Sequence, residues 1–221
     1  MTESQPSVPL AVKALGLGIG LAVLLMAGSL VALAVSGQHS GPKMEPIPYF
    51  ADVAFPDFEG VSQTAAPVDA SILDGRVTIV DFFFTHCPAI CPEMSSRMME
   101  QAEALKDSNV KFLSISIDPE HDTPEVMAEF AERYDAKPKQ WTFVRTPKET
   151  LDQVALTIGF AVQESDEQIQ VGPDEVMQNL IHPIDIFLIG PDRKIYGRYY
   201  FRSEEDLSKL SADAKRLLAQ R

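Results

Sequence analysis

Arg76-Val77-Thr78-Ile79-Val80-Asp81-Phe82-Phe83-Phe84 runs straight into Thr85-His86-Cys87-Pro88-Ala89-Ile90-Cys91-Pro92, and this junction decides how the chain is read. The first stretch is a continuous apolar run of strand length, rich in β-branched and aromatic residues, as expected of a buried strand. The second holds two prolines and leads into a helix expected over 92–105, with Met94, Met98, Ala102 and Leu105 at helical spacing. Cys87 and Cys91 are the only cysteines in the chain. Residues four apart share a helix face, with Cα atoms ~6 Å apart at ~1.5 Å rise per residue. That separation lies inside the roughly 4.4–6.8 Å window for a disulfide. It also lets two thiolates converge on one soft metal ion, so spacing alone leaves both uses open.

Outward from this junction, strand-like and helix-like patterns alternate. Residues 110–117 read as an alternating strand. Asp122-Thr123-Pro124-Glu125 reads as a helix start, with a capping residue and an early proline. Val126, Phe130 and Tyr134 then recur at helical spacing. A short strand is expected over 141–144 and a helix over 148–158. Residues 184–189 and 194–200 flank Gly190-Pro191-Asp192-Arg193, a β-hairpin pattern. Ser203 caps a last helix running to about Leu218. An α/β order whose first helix carries a cysteine pair just after a strand describes a thioredoxin-like sandwich, with a β-hairpin following the loop that holds His182.

The 221 residues leave room for an N-terminal segment and one domain. Residues 14–35 carry no charge and are rich in Leu, Val, Ala and Gly, long enough for the ~20 residues that span a bilayer. The expected organisation is a short tail over 1–13, a transmembrane anchor or uncleaved signal over 14–35, a Gly/Pro-rich linker over 36–48, and the thioredoxin-like domain over 49–221. Ala32-Leu33-Ala34 offers a small-x-small cleavage pattern as the rival reading. Either way the domain is expected outside the cytoplasm, where paired cysteines tend to oxidise unless a reductant or metal intervenes. The net charge of -13 argues against a nucleic-acid partner, which needs a basic face.

Pro88 and Pro92 mark a loop-to-helix junction, whose free N–H groups and dipole lower thiol pKa values. His182 stands at the entry to the hairpin, which in such a sheet packs beside the first strand. Its loop can therefore reach the cysteines. Two thiolates and an imidazole suit copper, soft sulfur favouring Cu(I) and the added nitrogen allowing Cu(II). Zinc accepts the same ligands, but a structural zinc site closes with a fourth, which His39, His86 or His121 would have to supply. Asp118, at the end of the second strand, is a candidate supporting residue that orients a ligand or accepts a proton.

Phe83-Phe84-Thr85-His86-Cys87-Pro88-Ala89-Ile90-Cys91-Pro92, the block Ser114-Ile115-Ser116-Ile117-Asp118-Pro119-Glu120-His121-Asp122-Thr123-Pro124, and His182 followed by Phe187–Asp192 together resemble the Sco/SenC family of copper-binding assembly proteins. The resemblance implies a membrane-tethered domain facing the periplasm or the mitochondrial intermembrane space. It implies one copper ion held by Cys87, Cys91 and His182, with Asp118 in support. It implies delivery of that ion, or of reducing equivalents, to the copper centre of cytochrome c oxidase subunit II. The family pattern usually has an acidic residue just before the histidine and Ser or Thr just after, whereas this chain has Ile181 and Pro183. Phe143-Val144-Arg145-Thr146-Pro147 likewise replaces a Leu-Thr-Gly-like ending. A metallochaperone is thus expected rather than an enzyme. The alternative is a thiol–disulfide oxidoreductase, against which the three-residue spacer between the cysteines argues.

Overall fold

The strand quoted above is β3, Thr78–Phe83, and every one of its six residues is buried. It pairs in parallel with β4 (Lys111–Ser116) and antiparallel with β8 (Asp185–Ile189), so its backbone hydrogen bonds are spent on both edges. The computed structural model describes residues 43–46 and 53–220. The tail, the anchor, His39 and most of the linker lie outside the described residues. Among the described residues no helix is long and apolar enough to cross a membrane. Met44 is nonetheless part of the domain core, and its N–H donates to Gln220 Oε1 at 3.1 Å.

The remaining strands are β1 (Glu59–Ser62), β2 (Pro67–Asp69), β5 (Trp141–Arg145), β6 (Gln163–Gly172), β7 (Glu175–Ile181) and β9 (Ile195–Tyr200). Seven of the nine form one sheet in the order β2-β1-β5-β4-β3-β8-β9, parallel across β3, β4 and β5 and antiparallel outward from them. The helices are α1 (Ile90–Ala104), α2 (Pro124–Arg133), α3 (Lys148–Ile158) and α4 (Glu204–Ala219). α1 packs on α4, and α2 on β1 and β5. This is the mixed α/β order read from the pattern, with β8 and β9 forming the expected hairpin.

Three differences carry physical content. β4 is not a half-buried alternating strand: Phe112 to Ser116 are all buried, because a central strand is covered on both faces. α1 starts at Ile90, two residues before the expected start, so Cys91 lies in its first turn. The β6–β7 hairpin is a separate two-stranded sheet inserted between α3 and β8. It begins after Gly159, whose positive φ of 86° closes α3 in the left-handed conformation that glycine adopts without a Cβ penalty. Its sequence holds Glu164, Asp166, Glu167, Asp174 and Glu175, which blur the alternation that marks a strand.

The aromatic run of β3 splits by face. Phe82 packs edge-on against Phe160 and Phe187, and Phe83 packs among Phe130 and Phe143. Asp81 is the exception in this strand, a wholly buried carboxyl. Its Oδ1 accepts the Ser114 hydroxyl at 2.5 Å, and Ser114 in turn accepts the Trp141 Nε1–H at 2.8 Å. Its Oδ2 has no partner among the described residues. Desolvation, partly offset by the Ser114 bond and the nearby His182, pushes the Asp81 carboxyl up to about 7. A carboxyl whose folded pKa is raised holds its proton more tightly in the folded state. The Asp81 contribution to stability is therefore most favourable near pH 4 and declines as pH rises toward 7. Asp81→Asn cannot ionise, so it should be the more stable protein at pH 8 by on the order of 4 kcal/mol, with little difference at pH 4. Urea unfolding at the two pH values checks this; a difference independent of pH would contradict it.

Candidate metal centre

β3 and β4 end side by side, with the Ile117 N–H donating to Phe83 O at 2.9 Å. Parallel strands place their following loops on one sheet edge, where α/β folds build their sites. Here those loops are 84–89, carrying Cys87, and 117–123. Helix α1 has no side-chain oxygen at its N-cap, Ala89. Instead the Cys91 N–H donates to Cys87 Sγ at 3.2 Å, so a sulfur takes the place of the capping oxygen.

His182 completes the group from the far side of β3, on the segment joining β7 to β8. Phe84 packs edge-on against its ring, with centroids 6.0 Å apart. The His182 Nδ1–H donates to the carbonyl of Pro183 at 2.7 Å. That bond leaves the lone pair on Nε2, which lies 3.3 Å from Cys91 Sγ. The Pro183 carbonyl thus fixes the tautomer, while Ile181 is exposed. The two sulfurs and one imidazole nitrogen lie within 4.8 Å of one another. Both cysteines are free thiols, Cys87 half-buried and Cys91 buried. A cleft of about 280 Å³ opens onto Cys87 and His182, lined also by Pro88, Ala89, Ile90, Glu167, Leu180 and Ile181. The larger cleft, about 850 Å³, lies between β1, β2 and Pro147 and contains no cysteine or histidine.

The two thiols differ in acidity. Hydrogen bonding from Cys91 lowers the Cys87 thiol to about 4 against the opposing effect of burial, with help from the backbone N–H groups of Cys91 and Ala89. Burial, and then the neighbouring Cys87 sulfur, push Cys91 well above the ordinary thiol range. The arrangement therefore offers one ready, half-buried thiolate and one buried thiol beside His182 Nε2.

In the 117–123 loop the expected helix start holds: Thr123 caps α2, accepting the Val126 N–H, and Pro124 follows it. Asp122 is fully buried and braces the cysteine loop. Its Oδ1 accepts the Thr85 N–H at 3.1 Å and the Thr85 hydroxyl at 2.5 Å, and its Oδ2 accepts the Ser116 hydroxyl at 2.5 Å. Asp118 bonds to the Nδ1–H of His121, at 2.8 Å and 2.9 Å from its two oxygens. Among the described residues it makes no hydrogen bond to Cys87, Cys91 or His182. Asp118 groups instead with His86 and Asp122. Asp122 and Asp81 escaped the sequence reading; for Asp81 the available signal was a lone charge inside an apolar strand run.

The SCO1/SenC family profile matches residues 49–219. The chain belongs to the SCO1/SenC family. It is 33% identical over 141 residues to the SCO1 protein homolog of Bacillus subtilis, covering 62% of this chain and 69% of that protein. It is 34% identical over 144 residues to the mitochondrial SCO1 homolog of Homo sapiens, again 62% of this chain but 44% of the human protein. Among solved structures it resembles BsSco, a Sco cytochrome c oxidase assembly protein in which a disulfide switch was identified. That match has a TM-score of 0.64 and 26% identity, and covers 80% of this chain and 97% of BsSco. The fold also matches Arabidopsis thaliana ScoI with copper bound, at a TM-score of 0.60 and 23% identity over 76% of this chain and all of that one. The thioredoxin-like α/β fold is thus that of the Sco proteins.

The acidity difference has a direct readout. At pH 6, iodoacetamide should alkylate Cys87 in the folded, reduced chain at least tenfold faster than Cys91, with the sites assigned by peptide mass spectrometry. Equal rates at the two positions would contradict the asymmetry.

Proposed function

We propose that this Sco protein is a copper metallochaperone that binds one copper ion through Cys87 Sγ, Cys91 Sγ and His182 Nε2. The ion is delivered for maturation of the copper centre of cytochrome c oxidase, with subunit II or a similar copper protein as acceptor. The observation that carries this reading is the convergence of three ligand atoms within 4.8 Å, with the histidine lone pair already freed toward a sulfur. Two soft sulfurs hold Cu(I), and the imidazole extends the set to Cu(II). Copper is cargo here, so a half-buried thiolate on a cleft suits both capture and release: Cys87 can meet an incoming ligand, while the buried Cys91 and His182 complete the ligand set.

In this reading residues 14–35 anchor the protein in a membrane, residues 36–48 form the linker, and the domain 49–221 faces the periplasm or intermembrane space. The anchoring follows from the uncharged apolar run. The location is supported by relatives that include a mitochondrial homolog and a Bacillus anthracis lipoprotein.

The unequal thiols favour a second use of the same pair, as a reductant of the acceptor's cysteines. The Cys87 thiolate attacks one sulfur of the acceptor disulfide and Cys91 then displaces it. Two electrons pass to the acceptor, and a Cys87–Cys91 disulfide is left behind.

The metallochaperone reading predicts one copper per reduced chain and a sulfur-to-copper charge-transfer band in the Cu(II) form. His182→Ala should weaken Cu(II) by tenfold or more, about 1.4 kcal/mol, and affect Cu(I) far less. Competition titrations of both oxidation states check this; unchanged Cu(II) affinity would remove His182 from the ligand set. Negligible copper uptake with rapid turnover of a model disulfide would replace the metallochaperone with the reductase.

A further inference from the structure

Beside the thiol site lies a second cluster that the copper reading leaves unused. We propose that His86, Asp118 and Asp122, with His121 at the edge, form a sulfur-free binding site for a divalent cation of the zinc(II) or copper(II) class. The ligand atoms of His86, Asp118 and Asp122 all lie within 4.8 Å of one another. The two carboxylates come from the 117–123 loop and the imidazole from the cysteine loop, so the site bridges the two loops at the sheet edge.

The electrostatics call for a cation. Asp118 is 5% exposed and Asp122 is fully buried, and a buried charge is costly unless it is paired. Among the described residues no lysine or arginine forms an ion pair with either one; Asp118 has the His121 imidazole as its partner, and Asp122 has no charged partner. Asp122 is held by neutral dipoles only, the Thr85 and Ser116 hydroxyls and the Thr85 N–H, which orient a carboxylate without cancelling its charge. Asp118 shares a single N–H, that of His121, between its two oxygens. A carboxylate has about four lone-pair positions, so Asp118 keeps capacity for a metal bond. The Asp118 carboxylate disfavours the ionised form of Asp122, a conflict that a bound cation relieves. Burial accordingly raises the Asp122 carboxyl, and Asp118 adds to the effect.

The rim supplies further ligands. The rings of His86 and His121 meet edge-on with centroids 5.9 Å apart. His121 Nε2 lies 3.7 Å from Glu175 Oε1 on β7, which brings a third carboxylate to the opening. Carboxylate and imidazole donors suit zinc(II) and copper(II), and offer little to the soft Cu(I) ion that two thiolates prefer. The two neighbouring sites thus differ in donor chemistry and share no ligand. Occupation of the second would tie the loop of Cys87 to the loop of Asp118 through one ion.

The test uses the full-length chain with Cys87→Ser and Cys91→Ser, which removes both thiolates and leaves the proposed site intact. Zinc(II), and copper(II) in separate samples, are titrated by equilibrium dialysis, with electron paramagnetic resonance on the copper samples and circular dichroism to verify folding. One ion per chain is expected, with nitrogen hyperfine coupling and no sulfur charge-transfer band. Adding Asp118→Asn or His86→Gln should weaken binding tenfold or more, whereas adding His182→Ala should leave it unchanged. The substitutions lie on different loops, so misfolding of one variant leaves the other as the readout. No bound ion in the thiol-free chain, an ion indifferent to both Asp118→Asn and His86→Gln, or an ion lost with His182→Ala would each overturn the proposal. None of these results bears on copper uptake by the intact thiols, so the two readings fail separately.

Discussion

Burial of β3 on both faces is the constraint on which the rest of the structure depends. A strand with neighbours on either edge and side chains packed above and below has one register and one end point. Its last aromatic residues then place the site. Phe83 anchors the strand among Phe130 and Phe143, while Phe84 meets the ring of His182. The chain leaves the sheet immediately afterward, so Cys87 emerges beside the start of α1. A free backbone N–H of that helix end is taken by the Cys87 sulfur itself. The same helix start brings in the Cys91 side chain, whose hydrogen bond does most to lower the Cys87 thiol.

The same strand end needs a second support, because a loop of five or six residues does not hold two sulfurs in place alone. Asp122 provides it by gripping both the backbone and the side chain of Thr85 from the adjoining loop. Ser116, at the end of β4, holds the other carboxylate oxygen. Buried polar groups of this kind are costly unless satisfied, and satisfied they fix a unique arrangement. His182 is held in the same manner by one carbonyl, that of Pro183, which frees Nε2 toward Cys91. Two loops thus meet at the thiols and a third braces the cysteine loop through Thr85, each restrained by at least one specific contact.

How much of this was legible in the sequence depends on how local each signal is. β3 and the cysteine loop could be read because an apolar run and a proline-flanked pair are visible within a dozen residues. The β8–β9 hairpin and α3 were legible for the same reason. The β6–β7 hairpin was not, since its acidic residues mask the alternation of a strand. The bracing role of Asp122 was not, because a buried carboxylate and one beside a helix cap are identical in sequence and differ only in tertiary partners. Asp118 was placed correctly at the strand end, yet its hydrogen bond goes to His121, a choice that only the folded loop determines. His182 could be picked out by its place at the entry to the hairpin, but the role of the Pro183 carbonyl required the structure.

The central claim is that two sulfurs and one imidazole nitrogen hold a single copper ion. X-ray absorption at the copper edge, on the full-length chain loaded with one equivalent of Cu(I), counts those donors directly. The account predicts a shell of two sulfurs and one nitrogen, with the nitrogen lost in His182→Ala and one sulfur lost in Cys91→Ser. A shell of nitrogen and oxygen without sulfur, or one unaltered by both substitutions, would contradict it.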